Sequence, residues 1–439
     1  MQGSQSPGEK DFAPAAGRLK YGAKGVMRVL QLDILRGVAV LLVLGRHMQK
    51  VPEELPRPIY LPLKIWNASG WVGVEVFFVL SGFLIAGLLF REMKDTGTFN
   101  LKRFLIRRAF RIYPPFYVMI AATVLMVAIT GIALPGGFST SITSTHLWSE
   151  LLFFQSYHHG LWIHTWSLAV EEHFYLLLPL LLLVLGRGSL NRRLPDTVTP
   201  PPSPPTAGAP ARLPFPHFLP VAAVTILLIT AWRTYVGVST GQAWDIVNRH
   251  IFSTHLRLDT LLFGVVLAYC VTFLEARTWA FVRRWRWSLV GLGVLGFLPL
   301  TFMSFWSLYI QTIGLFFVTI GTGSLMLVFL DTKLPSSPVV QRPLKLIAAI
   351  GVCSYSIYLW HMLVIHFTES MLAQRGIHLP YVATFAMLVT ASVVVGMAMA
   401  KAVEIPSLAL RDRLWPRVGR TPPRPAKDGH PLANAEPAL

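Results

Sequence analysis

The sequence predicts an all-α polytopic membrane protein, a bundle of about ten transmembrane helices. Three observations carry that expectation. Of the 439 residues, 53% are hydrophobic and only 14% are charged, too apolar for a water-soluble globular domain. Apolar runs long enough to cross a bilayer core of about 30 Å recur along the chain. Lys and Arg crowd into alternate connecting segments, the pattern of cytoplasmic loops.

The runs are 31–48, 71–90, 112–133, 164–186, 218–236, 255–274, 287–304, 308–330, 345–366 and 381–403. Residues 1–27 lack apolar periodicity and read as a flexible cytoplasmic tail. They do not have the layout of a cleavable signal peptide. Residues 28–404 form the transmembrane domain, interrupted at 187–217 by a cytoplasmic linker containing Pro200, Pro201, Pro202, Pro204 and Pro205. Pro406 closes the last span, and 405–439 reads as a basic, Pro-rich cytoplasmic tail. The net charge of +18 follows from this topology. The 91–111 loop is strongly basic, whereas 134–163 has no Lys or Arg. Nucleic acid is therefore not an expected partner; the lipid bilayer is. Both termini are placed in the cytoplasm, in a plasma membrane of the bacterial inner-membrane kind. Cys270 and Cys353 fall inside apolar runs and read as small buried residues rather than a disulfide or metal site.

The first run carries the main lead. Arg36 and His47 are eleven residues apart, almost three whole helical turns, so they share a face about 16 Å apart along the axis. Asp33 lies on the same stripe. Ionisable groups in a span are costly and usually line a cavity or pathway, although Arg36 near one end and His47 near the other can also snorkel to the interfaces. The second run brings Glu75, with Gly73, Ser81, Gly82 and Gly87 as small residues for close helix packing. Arg107, Arg108 and Arg111 end the basic loop. They serve as an orientation anchor, or as an anion site in which Arg108 and Arg111, three apart on one helical face, fork onto phosphate oxygens.

The histidines of 134–163, with His164 beyond, match no zinc spacing, so no metal is expected. Glu171 and Glu172 project about 100° apart, so at least one faces the bundle interior. They are placed in the outer half of their span. Arg257 is read either as an internal ion-pair partner or as a substrate contact. Tyr355 and His361 lie in an aromatic-rich run, where His361 can serve as an interfacial residue.

The chain resembles the membrane acyltransferase-3 family, whose members acylate sugars, macrolides and lipid-linked glycans. Five blocks carry the resemblance, in order: Leu32–His47, Gly73–Phe83, Arg107–Pro114, Trp166–Leu176 and Ser354–His361, with Val403-Glu404-Ile405-Pro406 as a weaker sixth. Glu75 stands where aspartate is common, His173 replaces a usual glutamine, and Arg46 precedes the histidine. The resemblance implies a catalytic role for His47 and a donor-handling role for the arginines.

Residues and resemblance together lead to an O-acyltransferase. Acyl-CoA, acetyl-CoA foremost, is the donor substrate, and no tightly bound cofactor is expected. Arg107, Arg108, Arg111 and Arg36 take the donor phosphates. A hydroxyl acceptor on a glycan, glycolipid or macrolide-like molecule approaches near Glu75, Glu171, Glu172 and Arg257. His47 removes its proton, with a carboxylate fixing the imidazole tautomer. Transfer through an acylated histidine is equally compatible. The alternative class is a secondary transporter or channel with an intramembrane His/Arg/Glu pathway, but the repeated halves or broken helices that it predicts are not visible.

The charge alternation gives a direct test. A single cysteine at position 200 should resist an impermeant thiol reagent in intact cells and react once the membrane is opened. Labelling in intact cells would invert the topology.

Overall fold

A computed structural model describes residues 30–134, 142–190, 215–240 and 251–416. The 1–27 tail, most of the 187–217 linker and the chain beyond residue 416 lie outside the described residues. In chain order the α-helices are α1 (Leu30–Arg46), α2 (Arg57–Ser69), α3 (Val72–Thr96), α4 (Leu101–Thr130), α5 (Ser144–Leu151), α6 (Trp166–Leu190) and α7 (Phe218–Thr240). They continue as α8 (Leu258–Phe273), α9 (Glu275–Arg284), α10 (Arg286–Phe297), α11 (Leu315–Leu330), α12 (Pro338–Val352), α13 (Ser354–Gln374), α14 (Tyr381–Met399) and α15 (Ile405–Leu414).

The all-helical class is as the composition requires, and fewer helices than ten pass on length and composition among the described residues. Among the described residues, six helices are long and apolar enough to cross a membrane, or eight if two bent pairs each count as one span. The 17 residues of α1 reach only about 25 Å, short of the roughly 30 Å hydrocarbon core. The run at 287–304 also forms a shorter helix. α8 and α9 meet at 109°. The 49–70 segment, read as a loop, contains α2.

Contacts divide the chain into two compact units, residues 1–91 with 194–354 and residues 92–193 with 355–439. In the first unit, α1 lies against α12 at backbone distance. A Cβ on Gly37 would strike the Ile347 carbonyl, and one on Gly351 would strike the Asp33 carbonyl. α3 and α8 cross through Gly82 and Gly264 in the same way, each facing a carbonyl of the other helix. Small residues allow this approach where apolar side chains gain little from leaving lipid. Gly87, read as another packing residue, has open space around it.

In the second unit, α4 begins eleven residues earlier than its apolar run. Asn100 Oδ1 accepts from the Arg103 amide at 2.8 Å, and Gly131, with φ of +66°, closes the other end. The basic residues from Lys102 onward therefore occupy its first turns rather than a loop. Pro114 and Pro115 sit inside this helix. Pro114 has no N–H for the Phe110 carbonyl, and Ser407 Oγ donates to that carbonyl instead at 2.5 Å. Tyr355 OH donates to the neighbouring Ile112 carbonyl at 2.8 Å.

Pro406 does not end the last helix. A π-turn at Ala400–Glu404 leads directly into α15, and the helical path runs to Leu414. The wider turn relieves the clash that a proline ring makes with the carbonyl four residues back.

The loop before α6 is organised by Glu150, which is fully buried. Its Oε1 accepts from the Leu161 amide (2.9 Å), the Trp162 amide (3.2 Å) and Thr165 Oγ1 (2.9 Å). Oε2 accepts from Gln155 Nε2 at 3.0 Å. Burial is the larger effect and lifts this carboxyl to about 7, against the hydrogen bonds that favour its charge. The folded state thus holds a proton that the unfolded chain has already released, so stability falls as pH rises from the ordinary carboxylate value towards 7. Glu150→Gln stays neutral, and Gln155 can turn its buried, unbonded Oε1 towards the new amide. The thermal midpoint of the variant, relative to wild type, should rise between about pH 5 and about pH 8. An equal offset at both values would show that Glu150 does not titrate in this window.

Candidate functional site

In the first unit, His47 lies one residue beyond α1. Its amide donates to the Leu44 carbonyl at 3.1 Å, and the Met48 amide to the Gly45 carbonyl at 3.4 Å. The helical face that Arg36 opens therefore stops just short of the imidazole, which stands half-buried in the closing turn. α2 builds this turn. Asn67 Nδ2 bridges the Gly45 and Met48 carbonyls at 3.0 and 2.9 Å, on either side of His47. Trp66 Nε1 donates to the Leu41 carbonyl at 2.8 Å, and its ring fills the space beside Gly45. These donors tie the last turns of α1 to α2 and fix the main chain that carries the imidazole. Arg46 faces the Phe305 ring, 5.6 Å from its centroid. At the opposite end of α1, Arg36 lies 3.8 Å from Asp33.

Glu75 and Arg257 answer one another. Arg257 Nη2 donates to Glu75 Oε1, and the two side chains are 1% and 3% exposed. Thr260 Oγ1 donates to the second Glu75 oxygen at 3.4 Å, and the guanidinium lies over Phe78. The ion-pair alternative for Arg257 is the one the geometry displays. A second buried pair, Arg233 with Asp259 at 2.7 Å, escaped the sequence reading. An arginine within the 218–236 run was the available signal.

In the second unit, basic and acidic side chains form one cluster. Arg108 lies 5.4 Å from the Tyr175 ring centroid, and Tyr175 OH donates to Glu171 at 2.6 Å. Tyr113 OH donates to Glu172 at 3.2 Å. Glu172 is buried and Glu171 half-buried, as side chains about 100° apart on a helix require. Arg111 Nη2 lies 4.0 Å from Glu404. Tyr355 sits within the electric field of Glu404, Glu172, Arg111 and Glu171. The sequence reading put these arginines at the cytoplasmic face and the glutamates in the outer half of the membrane. The early start of α4 places its basic turns inside the helical unit, where the two sets meet.

Arg107 points to a different set of partners. It reaches Asp412 at 2.8 Å and the Trp415 carbonyl at 2.5 Å, so it clamps the end of α15. Tyr355 uses its hydroxyl on the Ile112 carbonyl. His361 is fully buried rather than interfacial. Its Nδ1 pairs with the Tyr358 carbonyl at 2.6 Å, and its ring meets His164 edge-on at 4.8 Å. His164 is also buried, with its carbonyl accepting from Tyr358 OH at 2.8 Å. Its position just before the Trp-Ser-Leu run was the signal available for it. Among the described residues, no group of three or more His, Cys, Asp or Glu side chains is arranged to hold a metal ion.

The family model described as "Acyltransferase domain", of the acyltransferase-3 type, matches residues 29–401. A Staphylococcus aureus (strain COL) protein named "Putative O-acetyltransferase" is 27% identical over 365 residues, covering 77% of this chain and 51% of that protein. The peptidoglycan O-acetyltransferase OatA of Listeria monocytogenes is 28% identical over 365 residues, covering 78% of this chain and 50% of that protein. O-acetyltransferase OatA of Staphylococcus aureus (strain NCTC 8325) is 26% identical over 374 residues, covering 82% and 54%. The chain thus spans about half the length of the relatives it matches. No solved structure matches it. With the family match running from the first residues of α1 to the π-turn after α14, the chain belongs to the acyltransferase-3 family.

Proposed function

We propose that this chain is a multi-pass membrane O-acetyltransferase that moves an acetyl group from acetyl-CoA to a hydroxyl of a carbohydrate or glycolipid acceptor. His47 is its general base. The observation that carries the reading is the turn beyond α1, in which Asn67 grips the carbonyls on both sides of His47. A half-buried imidazole on a fixed main chain suits a group that must meet a hydroxyl repeatedly in one geometry. Imidazole is also the side chain whose ordinary pKa, about 6.5, lets it accept a proton near neutrality. The names of the relatives, one of them a peptidoglycan O-acetyltransferase, support acetyl as the group and a glycan hydroxyl as the acceptor.

In the proposed reaction, the acceptor oxygen attacks the thioester carbonyl while His47 Nδ1 or Nε2 takes its proton. The carbon–sulfur bond breaks, CoA departs as thiolate, and the imidazolium returns the proton to the sulfur. Arg108 and Arg111 bind donor phosphates, their guanidinium forks matching phosphate oxygens as a lysine ammonium does not. Arg36, beside Asp33, is a further candidate for an anionic part of the donor. Glu171 and Glu172 are candidates for orienting acceptor hydroxyls, with Tyr175 and Tyr113 fixing them. The proposed setting is a bacterial inner membrane with the donor drawn from the cytoplasm.

Purified His47→Ala and His47→Gln proteins should lose on the order of 10²–10⁴ in turnover with donor affinity largely kept. Retained turnover in either variant would remove His47 from the mechanism. Replacing Arg108 and Arg111 together with Lys preserves charge but not the forks. That protein should insert normally and show a raised KM for acetyl-CoA. Wild-type donor kinetics would leave the pair as an anchor only.

A further inference from the structure

Glu404 is a buried carboxylate at the end of the π-turn, 3% exposed. Ser356 Oγ, itself fully buried, donates to Glu404 Oε2 at 2.6 Å. The other oxygen faces Arg111 at 4.0 Å, and 28% of the Arg111 side chain stays exposed. Three residues after Glu404, Ser407 is tied to the carbonyl of Phe110, the residue next to Arg111. The π-turn and the start of α15 thus hold both the main chain and the guanidinium of this one position on α4. π-turns inside helices recur where function dictates an awkward side-chain placement. Here the turn sets a carboxylate 4.0 Å from an arginine whose side chain stays partly exposed.

We propose that Glu404, steadied by Ser356, is a positioning residue that holds the Arg111 guanidinium in the orientation that receives the acyl donor. This rests on the donor-binding reading of Arg111 above. The proposal differs in sign from a simple counter-charge. If Glu404 only neutralised Arg111, removing its charge would strengthen the attraction of the site for an anionic donor. If it orients the fork, removing it costs donor binding although the local field becomes more positive.

The experiment is a double-mutant cycle on the full chain in lipid nanodiscs, with acetyl-CoA as the varied substrate and free CoA as the readout. Glu404→Gln should raise KM for acetyl-CoA roughly threefold to tenfold with kcat little changed, the scale of one lost oriented ionic contact. In an Arg111→Lys background, the same substitution should change KM by less than about twofold, because the group it acts through is gone. Ser356→Ala should move KM in the same direction by a smaller factor, and it carries the cycle if Glu404→Gln does not fold. A lowered KM in Glu404→Gln would overturn the proposal in favour of a counter-charge. An equal factor in both backgrounds would overturn it in favour of a general packing role. Wild-type KM in Arg111→Lys alone would remove the donor reading of Arg111, and the proposal with it.

Discussion

The constraint on which this structure depends is that a charge placed among apolar helices must be matched. Removing an ion from water costs several kcal/mol, and a close, hydrogen-bonded partner is needed to offset it. The first unit meets the requirement twice, with Arg257 on Glu75 and Arg233 on Asp259. These pairs tie α3 to the entry of α8 and α7 to α8, and they join the glycine crossing at Gly82 and Gly264 in setting where the helices lie. The second unit meets it with aromatic and hydroxyl partners as well as carboxylates. Arg108 lies on an aromatic face, Arg111 stands 4.0 Å from Glu404, and Tyr113 and Tyr175 satisfy the glutamates.

Backbone groups obey the same rule. Pro114 frees a carbonyl in α4, and Ser407 answers it from α15. At the end of α1, Asn67 and Trp66 donate from α2 to the Gly45, Met48 and Leu41 carbonyls. In both places a tie to the main chain also fixes a candidate functional residue, Arg111 in one and His47 in the other. Arg107 answers Asp412 and the Trp415 carbonyl at the end of α15.

Much of this was legible in the sequence because lipid imposes simple rules. Long apolar runs gave the helical class, and the family motifs gave Arg36, His47, Arg108, Arg111 and Glu172 as residues of interest. Hydropathy does not register where a helix begins when its first turns are charged, so α4 was started at 112 instead of Leu101. Nor does it register breaks, and the expected span 345–366 falls on two helices, α12 and α13. The burial of His361 against His164 depends on elements nearly two hundred residues apart in sequence. The π-turn that seats Glu404 leaves no periodic trace at all. Asn67 was invisible because its value comes only from the carbonyls it meets.

The central claim is that the chain catalyses acetyl transfer to a hydroxyl, and not passage of a solute through a polar pathway. The most direct measurement uses the purified protein in nanodiscs with acetyl-CoA and glycan fragments bearing free hydroxyls, following thiol release and acceptor mass together. The account predicts CoA release that depends on the acceptor, with the acceptor gaining the mass of one acetyl group and the His47→Ala protein doing neither. Unchanged acetyl-CoA and unchanged glycan, from a protein whose liposomes accumulate either solute, would contradict it.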